Sequence, residues 1–266
     1  MQRFNSELEV SVGERSLTID YSDNVDIPDT VPAIGVHGWG CHKGDLDDAA
    51  ERLANDGFRL VTCTFPSGER LTTNDRLDII GGVATKRNLG RFGLIGHSMG
   101  GDDITEYATR NPSVVAGLAD IAGSHDLSDR YLTGIAADMT EDEFADDKGF
   151  SRLLDHLLSS TNLGIQKYAN RIAAFSTDER RAYHFAAVES VKRARGGGSL
   201  QDFFDYAGPK YYIHGQADMY DYQSRIRERH DIEYVEIPDA DHFPNVDQPD
   251  AFARAIGLFM RTIQLF

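Results

Sequence analysis

The stretch RFGLIGHSMGGDDITEYATRNP, residues 91–112, limits what this chain can fold into more than any other. An apolar run of strand character stops at Gly96, a single serine follows at Ser98, and a helical pattern starts at once beyond it. Acidic residues open that helical run and an arginine stands near its end, the arrangement the helix dipole favours, before Asn111 and Pro112 stop it. Gly96 and Gly100 leave room for backbones to approach closely at the corner.

The same alternation is repeated on both sides. PAIGVHGWG (32–40) reads as a buried strand ending in a tight glycine loop, LDDAAERLANDG (46–57) as a helix with a stop signal, and FRLVTCTFP (58–66) as another buried strand. VVAGLADIAG (114–123) is again strand-like. Ahead of these, LEVSV (8–12) and SLTIDY (16–21) alternate apolar and polar residues as a half-exposed antiparallel pair does. From about His125 to Tyr206 the pattern is helical throughout, closed by a GGGS punctuation. PKYYIHGQAD (209–218) and IEYVEIPDADHFPN then resume the strand pattern, and DAFARAIGLFMRTI forms an amphipathic last helix. The expectation is an α/β fold with a mainly parallel, doubly wound sheet. Its core would be built from 1–124 and 207–266, with 125–206 inserted as a helical cap.

Composition excludes several classes. With 27 basic and 43 acidic residues the net charge is −16, which repels nucleic acid and anionic membrane surfaces, so neither is expected as a partner. No apolar run approaches the roughly 18 residues needed to span a bilayer. The N-terminus carries charge where a secretory signal needs an apolar stretch, so the chain as given reads as cytoplasmic or as a mature form. Two cysteines, Cys41 and Cys63, are too few for a disulfide framework and lack metal-type spacing, so both read as free thiols. Cys41, His42 and Asp45 together are better explained as a hydrophilic loop than as a metal cluster, and no metal is expected.

A strand, G-x-S-x-G and a helix in succession can form a nucleophile elbow, in which a strained turn lifts the serine hydroxyl above the sheet. The alternative is a plain turn in which Ser98 only caps the helix. A serine is a poor nucleophile unless a base and an anion stabiliser stand near it. H-G-W-G, residues 37–40, follows an earlier strand and can aim a backbone N–H at a developing oxyanion; Trp39 is the expected donor and Met99 the second. In the order Ser, then Asp or Glu, then His, the acid and base fall after the helical segment: Asp218 just past the strand KYYIHGQ, and His242 in the loop after VEIPDAD. Asp126, after the strand ending near Gly123, is the rival acid. His37 and His97, with Gly38, read as packing or support for the site rather than as proton carriers. His125, His156 and His184 either line a pocket or are satisfied helical histidines, and EDEFADD (141–147) reads as a solvated surface.

Taken together, HGWG, GHSMGG, HGQAD and DADHFP resemble the oxyanion loop, nucleophile elbow, acid loop and histidine loop of α/β-hydrolases of the cap-domain type. The resemblance covers 32–123 and 209–264, and the helical segment only by position. It implies a cofactor-free serine hydrolase in which His242 takes the proton of Ser98, Asp218 holds the imidazole, and the N–H groups of Trp39 and Met99 bind the oxyanion. The implied substrate is a small carboxylic ester or lactone. Hydrolysis of a carbon–carbon bond with the same triad, and a slow or inactive ligand receptor on the same scaffold, are the alternatives.

Overall fold

The structure is a computed structural model, and it describes residues 4–23 and 30–266. Residues 1–3 and 24–29, inside the segment read as core, lie outside the described residues. One sheet holds β1 (Phe4–Val12), β2 (Arg15–Asp23), β3 (Ala33–Val36), β4 (Leu60–Thr64), β5 (Phe92–His97), β6 (Val115–Ile121), β7 (Lys210–Gly215) and β8 (Ile232–Ile237). Their spatial order is β1-β2-β4-β3-β5-β6-β7-β8. β1 pairs antiparallel with β2 and β2 with β4, as the alternating N-terminal segments lead one to expect; every pairing from β4 to β8 is parallel. Every residue of β3, β5, β6 and β7 is buried, which is why those strands read as continuous apolar runs.

Helices cover both faces. α1 (Asp47–Asn55) and α12 (Pro249–Ile263) pack on one side, where Leu53, Phe252, Ile256, Phe259 and Ile263 form a core layer with Ile95 and Ile213. α2 (Thr73–Lys86) and α3 (Met99–Arg110) pack on the other, with Ile79, Ile80, Val83 and Ile104 against Val10, Val36 and Leu94. The helical reading of the sequence passed over α2, although Thr72 and Asp75 form a capping box at its start. A Gly81–Gly82 pair interrupts its pattern, and the structure explains why Gly82 is there: a Cβ at that position would collide with the Val10 side chain of β1. The glycine that hides the helix lets it lie close against the sheet.

Between β6 and β7 the chain forms α4 (Tyr131–Ala137), α5 (Glu141–Ala145), α6 (Asp147–Leu158), α7 (Leu163–Ala173), α8 (Thr177–Arg195) and α9 (Leu200–Asp205). Phe144, Phe150, Leu153, Leu157, Ala169 and Ile172 of this segment form a separate apolar cluster that also takes in Trp39, Met99 and Phe243. α9 differs from the others in packing Leu200, Phe203 and Phe204 into the layer beneath the sheet. The run EDEFADD is not simply a solvated surface. It contains α5, with Phe144 and Ala145 buried and Glu141 paired to both Arg70 and Arg181. After β7 come α10 (Gln223–Arg227), then β8, α11 (Pro244–Asp247) and α12.

The acids opening α3 do more than answer its dipole, because both are buried in ion pairs. Arg76 of α2 meets Asp103 in a fork, Nε to Oδ2 at 2.7 Å and Nη2 to Oδ1 at 3.0 Å, while Asp102 pairs with Arg130. Removing one member of such a pair strands the other charge. Asp103→Ala is therefore expected to destabilise the fold by about 3 to 5 kcal/mol in chemical denaturation; a loss within about 0.5 kcal/mol would mean that Arg76 finds water.

Candidate active site

Because β3 and β5 to β8 run parallel, their carboxyl ends open on one edge of the sheet, where α/β proteins place their chemistry. The loop 37–40 follows β3, Ser98 follows β5, Ser124 lies beyond β6, Asp218 follows β7 and His242 follows β8.

Ser98 has φ 53° and ψ −121°, a left-handed conformation that costs of order 1 to 3 kcal/mol for a side chain other than glycine. The neighbouring glycines make the corner possible. A Cβ on Gly96 would strike the Gly100 carbonyl, one on Gly100 would lie 2.7 Å from Val36 O and 2.8 Å from His37 O, and one on Gly101 would lie 2.5 Å from Asp120 Oδ1. The capping alternative does not hold, since the Ser98 side chain makes no cap hydrogen bond to α3. Its Oγ instead stands 3.4 Å from Ser124 Oγ.

His242 Nδ1 donates to Asp218 Oδ2 at 3.1 Å. Asp126, the rival acid, is elsewhere: its Oδ1 accepts from Ser128 N at 2.7 Å and caps a short turn. Burial opposes a charge on His242, but Asp218, helped by Asp241 and Asp129, outweighs it and raises the imidazole above its ordinary value. Asp218 is buried too, yet His242 and the Tyr220 hydroxyl hold its carboxyl below the usual range. The loop carrying His242 is pinned from several directions. His97 Nε2 donates to His242 O at 2.8 Å, and Asp247 accepts from Asp241 N at 3.0 Å and from Asn162 Nδ2 at 2.8 Å.

The other two histidines at the strand ends are built to stay neutral. His37 Nδ1 donates to Gly38 O at 2.8 Å while its Nε2 accepts from Phe65 N at 2.9 Å, and burial pushes its pKa down to about 4. Burial, reinforced by the neighbouring His242, does the same to His97. Gly38 is held against the elbow, where a Cβ would come within 3.0 Å of His97 O and of Ser98 Cβ. Trp39 turns its indole away from the sheet, donating Nε1 to Tyr183 O at 2.9 Å. The backbone N–H groups of Trp39 and of Met99, the first residue of α3, find no acceptor among the described residues.

A cavity of about 370 Å³ collects these groups: Ser98, Asp218, His242, His97 and Trp39 all line it. Leu132, Leu157, Ile165 and Phe243 supply much of its apolar wall. His156 reaches the cavity, whereas His125 and His184 are buried and bonded, to Asp120 and Ser199 and to Met139 O respectively. Cys41 lies in the apolar cluster under the cap, His42 accepts from Gly44 N at 2.8 Å, and Asp45 is paired with Arg171 at 2.5 Å. Sequence reasoning did not single out Ser124, Asp129, Tyr168 or Tyr220, all of which line the cavity. For Ser124 and Tyr220 the signal was available, since each follows the carboxyl end of a parallel strand.

This chain belongs to the alpha/beta hydrolase family, whose sequence profile matches residues 33–255. A thermophilic esterase from Thermogutta terrifontis superposes with a TM-score of 0.80 at 18% identity, over 98% of this chain and 99% of that one. A carboxylesterase structure from the thaumarchaeon Nitrososphaera gargenis gives 0.76 at 20%, over 97% and 99%. A curated rice protein (Oryza sativa subsp. japonica), described as a probable 1-acylglycerol-3-phosphate O-acyltransferase, is 26% identical over 83% of this chain; the match spans 65% of that protein's length. Among the described residues no helix is long and apolar enough to cross a membrane.

Proposed function

We propose that this protein is a serine hydrolase that cleaves a small carboxylic ester or lactone through an acyl-enzyme on Ser98. The observation that carries the reading is the 3.1 Å hydrogen bond from His242 Nδ1 to Asp218, on the same cavity as a serine held in a left-handed turn. With Nδ1 committed to Asp218, Nε2 is the nitrogen left to take the serine proton as Oγ attacks the carbonyl carbon. The negative charge gathering on the carbonyl oxygen is met by the N–H groups of Trp39 and Met99, and the imidazolium then returns its proton to the departing alkoxide. Water, activated by the same histidine, releases the acid and restores Ser98. His37 and His97 hold the loops on which the donors and the base sit.

A cavity of this size with a mainly apolar wall suits a short acyl or aryl group. Acyl transfer to a phosphate-bearing alcohol, the activity named for the rice relative, fits less well. No lysine or arginine is among the lining residues to meet a phosphate. Incubation with p-nitrophenyl acetate and butyrate is the test. Steady release of nitrophenol, with an initial burst where deacylation is slow, is expected; a ligand-induced melting shift without turnover would favour the receptor reading instead.

A further inference from the structure

Asp129 stands apart from the other acids of the cavity. Asp218 is occupied by His242, and Asp241 Oδ1 accepts from His242 N at 2.8 Å. Asp129 lines the same cavity with its side chain 2% exposed, and only its Oδ2 is used, accepting from His125 N at 2.6 Å and Asp126 N at 3.4 Å. Its Oδ1 is buried without a hydrogen-bond partner. The nearest cation, Arg130, presents Nε to it at 3.8 Å, beyond hydrogen-bond range. The rest of that guanidinium is spent on Asp102, on Ser190 and on Ser124 O at 2.6 Å.

Among the described residues no cationic side chain is hydrogen-bonded to this carboxylate. Ser199 donates its one proton to Asp102 and so accepts from His125 Nδ1, while His125 Nε2 donates to Asp120. His125 is thereby an imidazolium, in keeping with a pKa that Asp120 and Asp102 raise against the cost of burial. Arg130 and His125 are hydrogen-bonded to Asp102 and Asp120, and Arg193 adds its charge to Asp102, so Asp129 is the acid of the cluster to which no cationic side chain is hydrogen-bonded. Tyr220, Tyr222 and His242 also feel it, but the tyrosines carry no positive charge and His242 is committed to Asp218. Burial, with Asp102 adding to it and Arg130 and His125 pulling the other way, pushes its carboxyl up to about 7. Near neutral pH a proton competes for this position, and a buried acceptor without a partner beside a binding cavity is a place for a ligand donor.

We propose that Asp129 recognises a protonated amine on the substrate, so that the cavity selects esters bearing an ammonium group over isosteric neutral or anionic ones. The proposal rests on the hydrolase reading for the word ester, and on the cavity alone for the amine. An ammonium that displaces the proton donates to the unpartnered Oδ1, which the hydrogen bonds of His125 N and Asp126 N to Oδ2 leave unused. Among the described residues no lysine or arginine lines the cavity, so the repulsion an ammonium meets comes from Arg130 and His125 behind Asp129, while the carboxylates of Asp218 and Asp241 add attraction.

Trp39 is the only tryptophan in the chain and lines the cavity, so its fluorescence reports binding without any need for turnover. The probes are n-butylammonium, n-butanol and butanoate, at about pH 8 so that Asp129 is mostly ionised. The ammonium is expected to bind about tenfold or more tightly than the alcohol, and butanoate most weakly. In Asp129→Asn the ammonium's advantage is expected to vanish while n-butanol still binds, which reports an intact cavity; should that variant not fold, the wild-type comparison decides alone. Equal binding of alcohol and ammonium by wild type, or an advantage that survives Asp129→Asn, overturns the proposal. Matched esters carrying the ammonium on the acyl or on the alcohol side then locate it by kcat/KM. Failure of every ester to react would count against the hydrolase reading and not against amine recognition.

Discussion

Ser98→Ala is expected to lower kcat on p-nitrophenyl acetate by about 10⁵- to 10⁶-fold while leaving the denaturation midpoint almost unchanged. The split follows from where the side chain stands. Its one hydrogen bond is the long contact with Ser124 Oγ, it caps nothing, and alanine removes only the oxygen. The strain of the left-handed turn lies in the backbone and is carried by alanine as it is by serine. Without Oγ no acyl-enzyme forms, and what remains is whatever the oxyanion donors and His242 can do for water. Residual activity within about tenfold of wild type would place the nucleophile elsewhere, and Ser124 would be the first residue to examine.

Asp218→Asn is expected to cost about 10³- to 10⁴-fold in kcat, and its pH profile carries a second signature. In wild type the base works only when neutral, so kcat/KM should rise with pH through one ionisation whose midpoint lies above the ordinary 6.5, because the carboxylates around His242 outweigh burial and favour the imidazolium. Taking the charge from Asp218 removes the largest of the favourable influences. Burial then dominates, and the midpoint should move to lower pH even as the plateau falls. A variant that loses rate with no downward shift would mean that Asp218 orients the ring without acting on its charge. If Asp126→Asn is the crippled variant instead, the acid has been misassigned.

Much of this was legible in the sequence, for reasons that can be stated residue by residue. Strands buried on both faces read as apolar runs, and GHSMGG and HGQAD sit at the carboxyl ends of such runs while DADHFP follows the strand pattern IEYVEI, so all three could be placed on one edge before any coordinates were known. The parallel register then brought Asp218 and His242 into hydrogen-bond contact across 24 residues of chain. What escaped depended on contacts between segments distant in sequence. α2 was hidden by a glycine whose purpose is visible only against Val10. Asp102 and Asp103 looked like ordinary first-turn acids, because their partners Arg130 and Arg76 lie 28 and 27 positions away. Asp129 and Tyr168 carry no motif. Asp129 reaches the cavity from the short turn just past β6 and Tyr168 because α7 folds back over the elbow, and neither helical periodicity nor composition encodes where those segments land.

Identification of the residue that becomes acylated tests the central claim most directly. Wild-type protein treated with a fluorophosphonate, digested and mapped by mass spectrometry should carry one adduct, on the peptide containing Ser98, and His242→Ala should label far more slowly because the hydroxyl has lost its base. An adduct on Ser124 or on any other serine, or labelling of Ser98 at the same rate without His242, would contradict the account.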